Sequence, residues 1–312
     1  TSGMLMNMQV PSYSGDSAPI GNVGTMSNYG LEFDLGYRDT YGDFSWSISA
    51  NATYNKNVLT ELGDDATSLY GSSHKIGQLT RGIVGLPFPY FYGYKTDGIF
   101  QNAAEVAAYV NKDGELLQPK AAPGDVRFVD VDGDGKIDDN DRTYIGKGVP
   151  DWSFGLNIGF EWKGIDFNML LQGTLGNQVF NVSRRTDLYY VNLPKTILNR
   201  WTGEGTSNTN PRFVFESANE NYRSSDLWVE DGSFLRARNV QLGYTLPQKW
   251  TKKIFIQRLR VYAQAENLFT LTKYTGCDPE VTGGNGFSSD LGVDRGVYPQ
   301  SRTFSVGVNL NF

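Results

Sequence analysis

Arg302-Thr303-Phe304-Ser305-Val306-Gly307-Val308-Asn309-Leu310-Asn311-Phe312 reads as a strand with two unlike faces. Successive side chains of a strand point to opposite sides. Phe304, Val306, Val308, Leu310 and Phe312 therefore share one face, and Thr303, Ser305, Gly307, Asn309 and Asn311 share the other. One face is wholly apolar and the other is small and polar. That is the pattern of a transmembrane β-barrel strand, with lipid outside and water inside. A β-sandwich edge strand also alternates, so the other strands must decide.

Several segments repeat the pattern. Leu31, Phe33, Leu35 and Tyr37 alternate with polar or small residues, as do Phe44, Trp46, Ile48, Ala50, Ala52 and Tyr54. Trp152, Phe154, Leu156, Ile158, Phe160 and Trp162 form another series of the same length. Ile165, Phe167, Met169 and Leu171 come next, with Leu170 the one apolar residue on the polar face. Val240, Leu242, Tyr244 and Leu246 mark a strand opening near Phe234; Leu259, Val261, Ala263, Ala265 and Leu268 mark another, whose register weakens near Asn267. Trp152 and Trp162 bracket a stretch that rises about 25 Å along a membrane normal, at ~3.3 Å per residue and a tilt of ~40°. That is the height of a lipid-facing band, with aromatic residues at its two interfaces. Soluble strands average about five or six residues.

The connections sort by length. Thr40–Asp43 and Lys163-Gly164 are tight turns, and Pro247–Arg258 is moderate, with Lys249, Trp250, Lys252 and Lys253. Residues 56–151, 175–233 and 271–301 are long. Outer-membrane barrels have short periplasmic turns and long extracellular loops. Strands at 31–38, 44–55, 152–162, 165–174, 234–246, 259–270 and 302–312 fit one alternating scheme that ends in the periplasm. The fold class expected is all-β, a transmembrane antiparallel barrel. Seven strands cannot close a bacterial single-chain barrel, which needs an even number of eight or more. The chain is expected to be the carboxyl-terminal part of one larger barrel domain. Residues 1–27 are expected to end another loop, and no signal peptide is visible at Thr1-Ser2-Gly3-Met4. A signal was removed, or the chain begins inside a longer precursor.

Composition removes other classes. The chain has 312 residues, a net charge of −6 and scattered Lys and Arg, which argues against a nucleic-acid surface. A single histidine, His74, and a single cysteine, Cys277, leave no His-based triad, multi-His metal site or internal disulfide. No run of 18 apolar residues offers a transmembrane helix.

The ordered motifs resemble SusC/RagA-type TonB-dependent outer-membrane transporters. Asn28-Tyr29-Gly30-Leu31-Glu32, Gly42-Asp43-Phe44-Ser45-Trp46 and Asn55-Lys56-Asn57 carry the likeness first. The run from Phe91 to Phe100, Pro123-Gly124-Asp125, the acidic run from Asp130 to Asp141, Ile145-Gly146 and Pro150 extend it. Arg238-Asn239-Val240, Leu242-Gly243-Tyr244, Glu266-Asn267-Leu268-Phe269, Tyr274-Thr275-Gly276 and Asp278-Pro279-Glu280 complete it with the terminal strand. The resemblance implies the last strands of a 22-stranded barrel whose plug and TonB-contacting segment are not seen here. It implies the outer membrane of a Gram-negative bacterium and a non-enzymatic active importer of oligosaccharides or peptides. Its implied partners are the amino-terminal remainder of the transporter, a SusD-like surface lipoprotein, TonB and the lipid bilayer. Phe304, Val306, Val308, Leu310 and Phe312 resemble the terminal strand by which barrel proteins are recognised for insertion.

The sharpest chemical motif is Asp130-Val131-Asp132-Gly133-Asp134-Gly135-Lys136-Ile137-Asp138-Asp139-Asn140-Asp141. Asp stands at loop positions 1, 3, 5, 9 and 12, with Gly at 6 for the sharp turn. Calcium takes six to eight oxygens in flexible geometry, and this spacing supplies them. Asp130, Asp132, Asp134, Asp138 and Asp141 are the candidate side-chain ligands of a structural calcium ion, and Lys136 would offer its backbone carbonyl. Ile137 would anchor the loop on apolar surface. Asp at position 12 in place of Glu suits a weaker, extracellular type of site. The alternative is a solvated acidic turn.

Tyr90, Tyr92, Tyr94, Tyr189, Tyr190, Trp201 and Trp228 lie in the long loops. They are candidates to contact substrate or lipoprotein, or to pack the loops on one another. Arg236 and Arg238 are expected on the face of Val240, at the headgroup boundary or against a loop. Ala103–Asn111 reads as a short helix. A calcium-dependent β-sandwich binding module of lectin type is the competing function; it lacks a reason for bilayer-length strands and alternating short and long connections.

Overall fold

A computed structural model describes residues 5–7, 20–22, 24–63, 67–71, 73–74, 76–184, 192–193, 195–214, 217–252, 255–282 and 288–312. Seven long strands dominate: β1 (Gly24–Tyr41), β2 (Phe44–Leu62), β3 (Trp152–Trp162), β4 (Ile165–Leu175), β5 (Phe234–Thr245), β6 (Arg258–Glu266) and β7 (Thr303–Asn311). Each pairs antiparallel with the next in sequence order, giving an up-and-down meander. Among the described residues, the outer edges of β1 and β7 have no strand neighbour. This is a barrel fragment, as expected.

The register puts the apolar faces together. Trp152, Phe154, Leu156, Ile158, Phe160 and Trp162 of β3 stand opposite Tyr54, Ala52, Ala50, Ile48, Trp46 and Phe44 of β2. The Tyr54 and Trp152 rings lie 5.1 Å apart at one end of this face. Phe44 and Phe160 lie 6.2 Å apart at the other. Among the described residues no layer covers the face: Leu35 is 71% exposed, Phe304 70% and Val306 80%. A contiguous apolar surface of this extent is not tolerated in water and marks a membrane or partner surface. The opposite face carries Ser45, Ser47, Ser49, Asn51 and Thr53, and it holds an ion pair between Arg260 and Asp166. Arg260 donates to Asp166 through Nε at 2.9 Å and through a second guanidinium nitrogen, which also donates to Gln241.

All short connections fall at one end. Tyr41 pairs with Phe44 across Gly42-Asp43. Trp162 pairs with Ile165 across Lys163 (φ +49°) and Gly164 (φ +89°), both left-handed as a two-residue hairpin of matching twist demands. A Cβ on Gly164 would also stand 2.7 Å from the Thr245 carbonyl oxygen. Gly164→Val should therefore lower stability by more than about 1 kcal/mol. A shift of the heat-dependent gel mobility of the full-length barrel to lower temperature would show it; an unchanged transition would refute it.

Three sequence expectations need correction. β1 and β2 run past the alternating stretch, to Gly24 and Leu62, because backbone pairing continues there and Met26, Leu59 and Leu62 pack against Leu69 and Phe88 of the first long loop. The segment just before Leu31 is thus strand, not loop; residues 1–4, 8–19 and 23 lie outside the described set. β6 stops at Glu266, where Asn267 adopts φ +51°, and pairing resumes over Thr270–Thr272. Opposite this break, β5 carries a bulge between Asn239 and Ala237, across from Leu170 and Leu171. An extra residue in one strand reverses the facing of every residue beyond it. Arg236 and Arg238 consequently turn to the polar face, away from the face of Val240.

The buried apolar core lies in the long loops, beyond the barrel wall. Tyr90–Gly93 pairs with Thr80–Gly82 and Thr143–Lys147. Gln178–Asn181 joins Val229–Asp231 of its own loop and Val293–Asp294 of the last, and Phe91 and Ile145 of the first loop pack against Phe180 and Val293, so all three long loops meet. Leu79, Phe91, Ile145, Phe180, Val182, Trp228 and Val293 fill the space between these small sheets. The expected short helix spans Ala103–Ala108, capped by the Asn102 side chain.

Candidate functional site

The acidic loop hangs from the strand Val126–Phe128 and returns through Thr143–Lys147. Ile137 packs on the cluster of Tyr94, Val126 and Phe128, the apolar anchor expected for it. Gly133 (φ +76°) and Gly135 (φ +88°) make the sharp turns. The carboxylates of Asp130, Asp132 and Asp134 converge, each offering an oxygen within 4.8 Å of the others. Backbone amides hold them. Asp130 accepts from Gly133 at 2.7 Å and Gly135 at 2.9 Å, Asp132 from Asp134, and Asp134 from Lys136.

Asp138 and Asp141 are not in the converging set. Asp138 accepts from Asn140 and caps a short 3-10 turn. Asp141 is buried, and its oxygens accept from Val131 at 2.7 Å and Asp138 at 2.8 Å. Each oxygen keeps a second lone pair, so these bonds leave acceptor capacity. The Asp134 amide lowers the pKa of Asp132, but desolvation and the carboxylates of Asp134, Asp141 and Asp130 outweigh it, and the net shift is upward. The residues present fit a hard cation: clustered, mutually repelling oxygens on a turn with glycine where the backbone folds back.

The candidate contact aromatics have another role. Tyr90, Tyr92, Tyr94 and Trp228 are buried. Tyr92 lies under Arg142 at 4.4 Å and Arg81 at 4.9 Å, and Tyr94 under Arg223 at 5.2 Å. Burial drives the Tyr90 and Tyr94 hydroxyls up to about 12, outweighing the lowering by nearby arginines. These four pack the loops together, with Tyr94 also lining a cleft beside Asp139 and Arg223. Trp201 is half-buried and donates to Gln101 at 3.2 Å. Tyr189, Tyr190 and Lys253 lie outside the described residues.

Two buried charge clusters tie the loops down. Asp125 is fully buried. It accepts two bonds from Arg212, at 2.6 and 3.0 Å, and one from Asn221 at 2.9 Å. This gives Pro123-Gly124-Asp125 its physical meaning as an anchor between two loops. Arg236 is 2% exposed. It donates to Asp278 at 2.6 Å, Glu280 at 3.0 Å and Thr270 at 2.9 Å. Arg238 also reaches Glu280, so of the two positions expected for this pair the loop is the one occupied.

One feature escaped the sequence. A cleft of about 630 Å³ opens between loops, lined by the polar residues Thr96, Arg184, Asn208, Asn210, Asp226, Glu230, Lys273 and Thr275 together with the apolar Leu227 and Val229. These residues come from separate segments of all three long loops, and no local spacing announces them.

Seven sequential strands with an uncovered apolar face, turns at one end and interlocked loops at the other can be compared with known proteins. No family model matches the sequence. The TonB-dependent receptor P3 of Formosa agariphila is 33% identical over 323 aligned residues, covering all of this chain and 31% of the relative. The TonB-dependent receptor SusC of Bacteroides thetaiotaomicron is 28% identical, over all of this chain and 29% of its own length. The RagAB peptide transporter superposes with a TM-score of 0.77 at 26% identity, covering the whole chain and 32% of that one. The chain matches the carboxyl-terminal portion of SusC/RagA-type TonB-dependent transporters. It spans about a third of the length of the curated relatives. Those relatives are receptors and transporters by name, in line with a non-enzymatic role.

Proposed function

We propose that the protein to which this chain belongs is an outer-membrane nutrient importer of the SusC type. The observation that carries this reading is the seven-strand meander whose apolar face is uncovered at bilayer length. Whole-chain similarity to TonB-dependent receptors and to a peptide transporter supports the import of oligosaccharides or peptides. In this reading the long loops form part of an extracellular vestibule under a SusD-like lipoprotein, and TonB supplies energy through the rest of the protein. The cleft between Arg184, Asn208, Glu230 and Lys273 is the best-placed surface in this chain for a hydrophilic substrate.

Affinity isolation of the full-length protein from detergent-extracted outer membranes tests the assembly. A co-purifying surface lipoprotein and loss of growth on one oligosaccharide or peptide source upon gene deletion are expected. A protein that stays soluble without detergent would overturn the reading and favour the lectin-like module.

We further propose a structural calcium ion on the acidic loop, held by Asp130, Asp132 and Asp134, with Asp138, Asp141 and the Lys136 carbonyl completing the shell. Converging carboxylates on glycine-turned backbone favour it. Millimolar calcium should protect residues 126–147 of the full-length protein from proteolysis, and chelation should remove the protection. Asp134→Asn should weaken calcium binding by about tenfold or more. Equal cleavage with and without calcium would sink the site.

A further inference from the structure

The turn end of the barrel carries a surface that import does not explain. Trp162 is 48% exposed on the outer face, and Lys163 beside it places its ammonium 5.6 Å from the Trp162 ring. The next turn toward the carboxyl terminus lies against it, since Thr245 donates to the Gly164 carbonyl at 2.7 Å. That turn folds into the short helix Gln248–Thr251. It buries Thr251 but leaves Lys249, Trp250 and Lys252 exposed. Trp250 is 57% exposed. Two indoles and three ammonium groups thus share one rim, continuous with the apolar face above. The acidic groups nearby are Asp43, whose carboxylate lies 3.8 Å from Lys163, and Glu161 and Asp166, which line the same cleft as Lys163. Asp166 is paired with Arg260, Asp43 offsets part of the Lys163 charge, and among the described residues Lys249 and Lys252 have no ion pair.

We infer that this rim binds the headgroup of an anionic phospholipid in the periplasmic leaflet, with Lys163, Lys249 and Lys252 around the phosphate and Trp162 and Trp250 at the ester level. Charge complementarity and continuity with the apolar face select this occupant. Indoles sit at membrane interfaces because one side is apolar and the other polar. Lysines beside them attract anionic lipid at close range. A soluble protein partner would not need the rim to merge into the bilayer-facing surface.

The inference rests on the barrel reading, and the experiment separates the two. The full-length protein is placed in nanodiscs of neutral phosphatidylcholine, with or without phosphatidylglycerol. Failure to enter either disc overturns the barrel itself. Once inserted, Lys249 and Lys252 should resist acylation only where phosphatidylglycerol is present. Native mass spectrometry should show phosphatidylglycerol retained by the released protein. The triple variant K163Q/K249Q/K252Q should lose retention by roughly 100-fold, about fivefold per lysine. Equal acylation in both discs would overturn the site, as would shielding by inorganic phosphate alone. The acylation arm uses the unaltered protein, so a variant that fails to assemble leaves the test intact.

Discussion

Ile48→Arg should abolish assembly of the barrel, whereas Ser49→Arg one residue away should be nearly silent. Ile48 stands near the middle of the alternating Phe44–Tyr54 stretch of β2, opposite Ile158 on β3 and Tyr37 on β1, on the uncovered apolar face. Ser49 points to the polar interior, where water can solvate a guanidinium. A cation on the lipid face near the bilayer midplane costs about 2–4 kcal/mol. The same cation facing an aqueous lumen costs within about 0.5 kcal/mol. The measurement is the heat-modifiable fraction of full-length protein in outer membranes for each variant. Equal assembly of both would mean that the apolar face does not meet lipid. Equal failure would mean that the interior at this depth is tightly filled rather than wet.

The second large effect is expected at Arg236. Its guanidinium and the Asp278 carboxylate are almost fully buried together, 2% and 5% exposed. Removing one partner of a buried pair leaves an uncompensated charge and costs about 3–5 kcal/mol. Arg236→Ala should therefore release the loop of residues 273–301, read as rapid proteolysis there while the barrel keeps its heat-modifiable mobility. Arg236→Lys should rescue only partly, since an ammonium cannot reproduce the fork to Asp278, Glu280 and Thr270. Arg236→Ala with Asp278→Asn should be milder than Arg236→Ala alone, because the stranded charge is gone.

Acid should act on the same anchor. Burial raises the Asp278 pKa, but the Gln300 and Glu280 amides and Arg236 more than offset it, holding the carboxyl below its ordinary range. A carboxyl whose folded pKa is depressed contributes stability above its unfolded pKa and loses it as pH falls through the folded value. The loop should stay anchored at neutral pH and loosen only in acid below the ordinary carboxylate range. Loosening that begins near neutrality would contradict this assignment.

Sequence and structure divide along a physical line. Strand faces, the tight turns and the long loops were legible because each is a local property. Alternation with period two places Trp152 and Trp162 on one face whatever surrounds them. Gly42 and Gly164 stand where the chain must reverse. The glycines of the acidic loop and the apolar role of Ile137 were legible for the same reason, since spacing within twelve residues sets them.

What lay beyond the sequence depends on segments far apart in the chain. Tyr94 reads as an exposed loop aromatic until residues 222–228 and 126–128 close over it. The cleft between loops takes Thr96, Arg184, Glu230 and Lys273 from segments that meet only after the barrel has brought the loops to one end. Arg236 reads as a lipid-boundary residue until a single bulge at Arg238, matched by the left-handed Asn267 opposite, turns it inward to Asp278. By itself the sequence determined that this chain is a run of barrel strands, and which face of each strand is apolar, because hydrogen-bond geometry and period are local. The tertiary structure alone decided what the loops bury and where their charges pair, because burial is a property of neighbours and one inserted residue reverses every side chain beyond it.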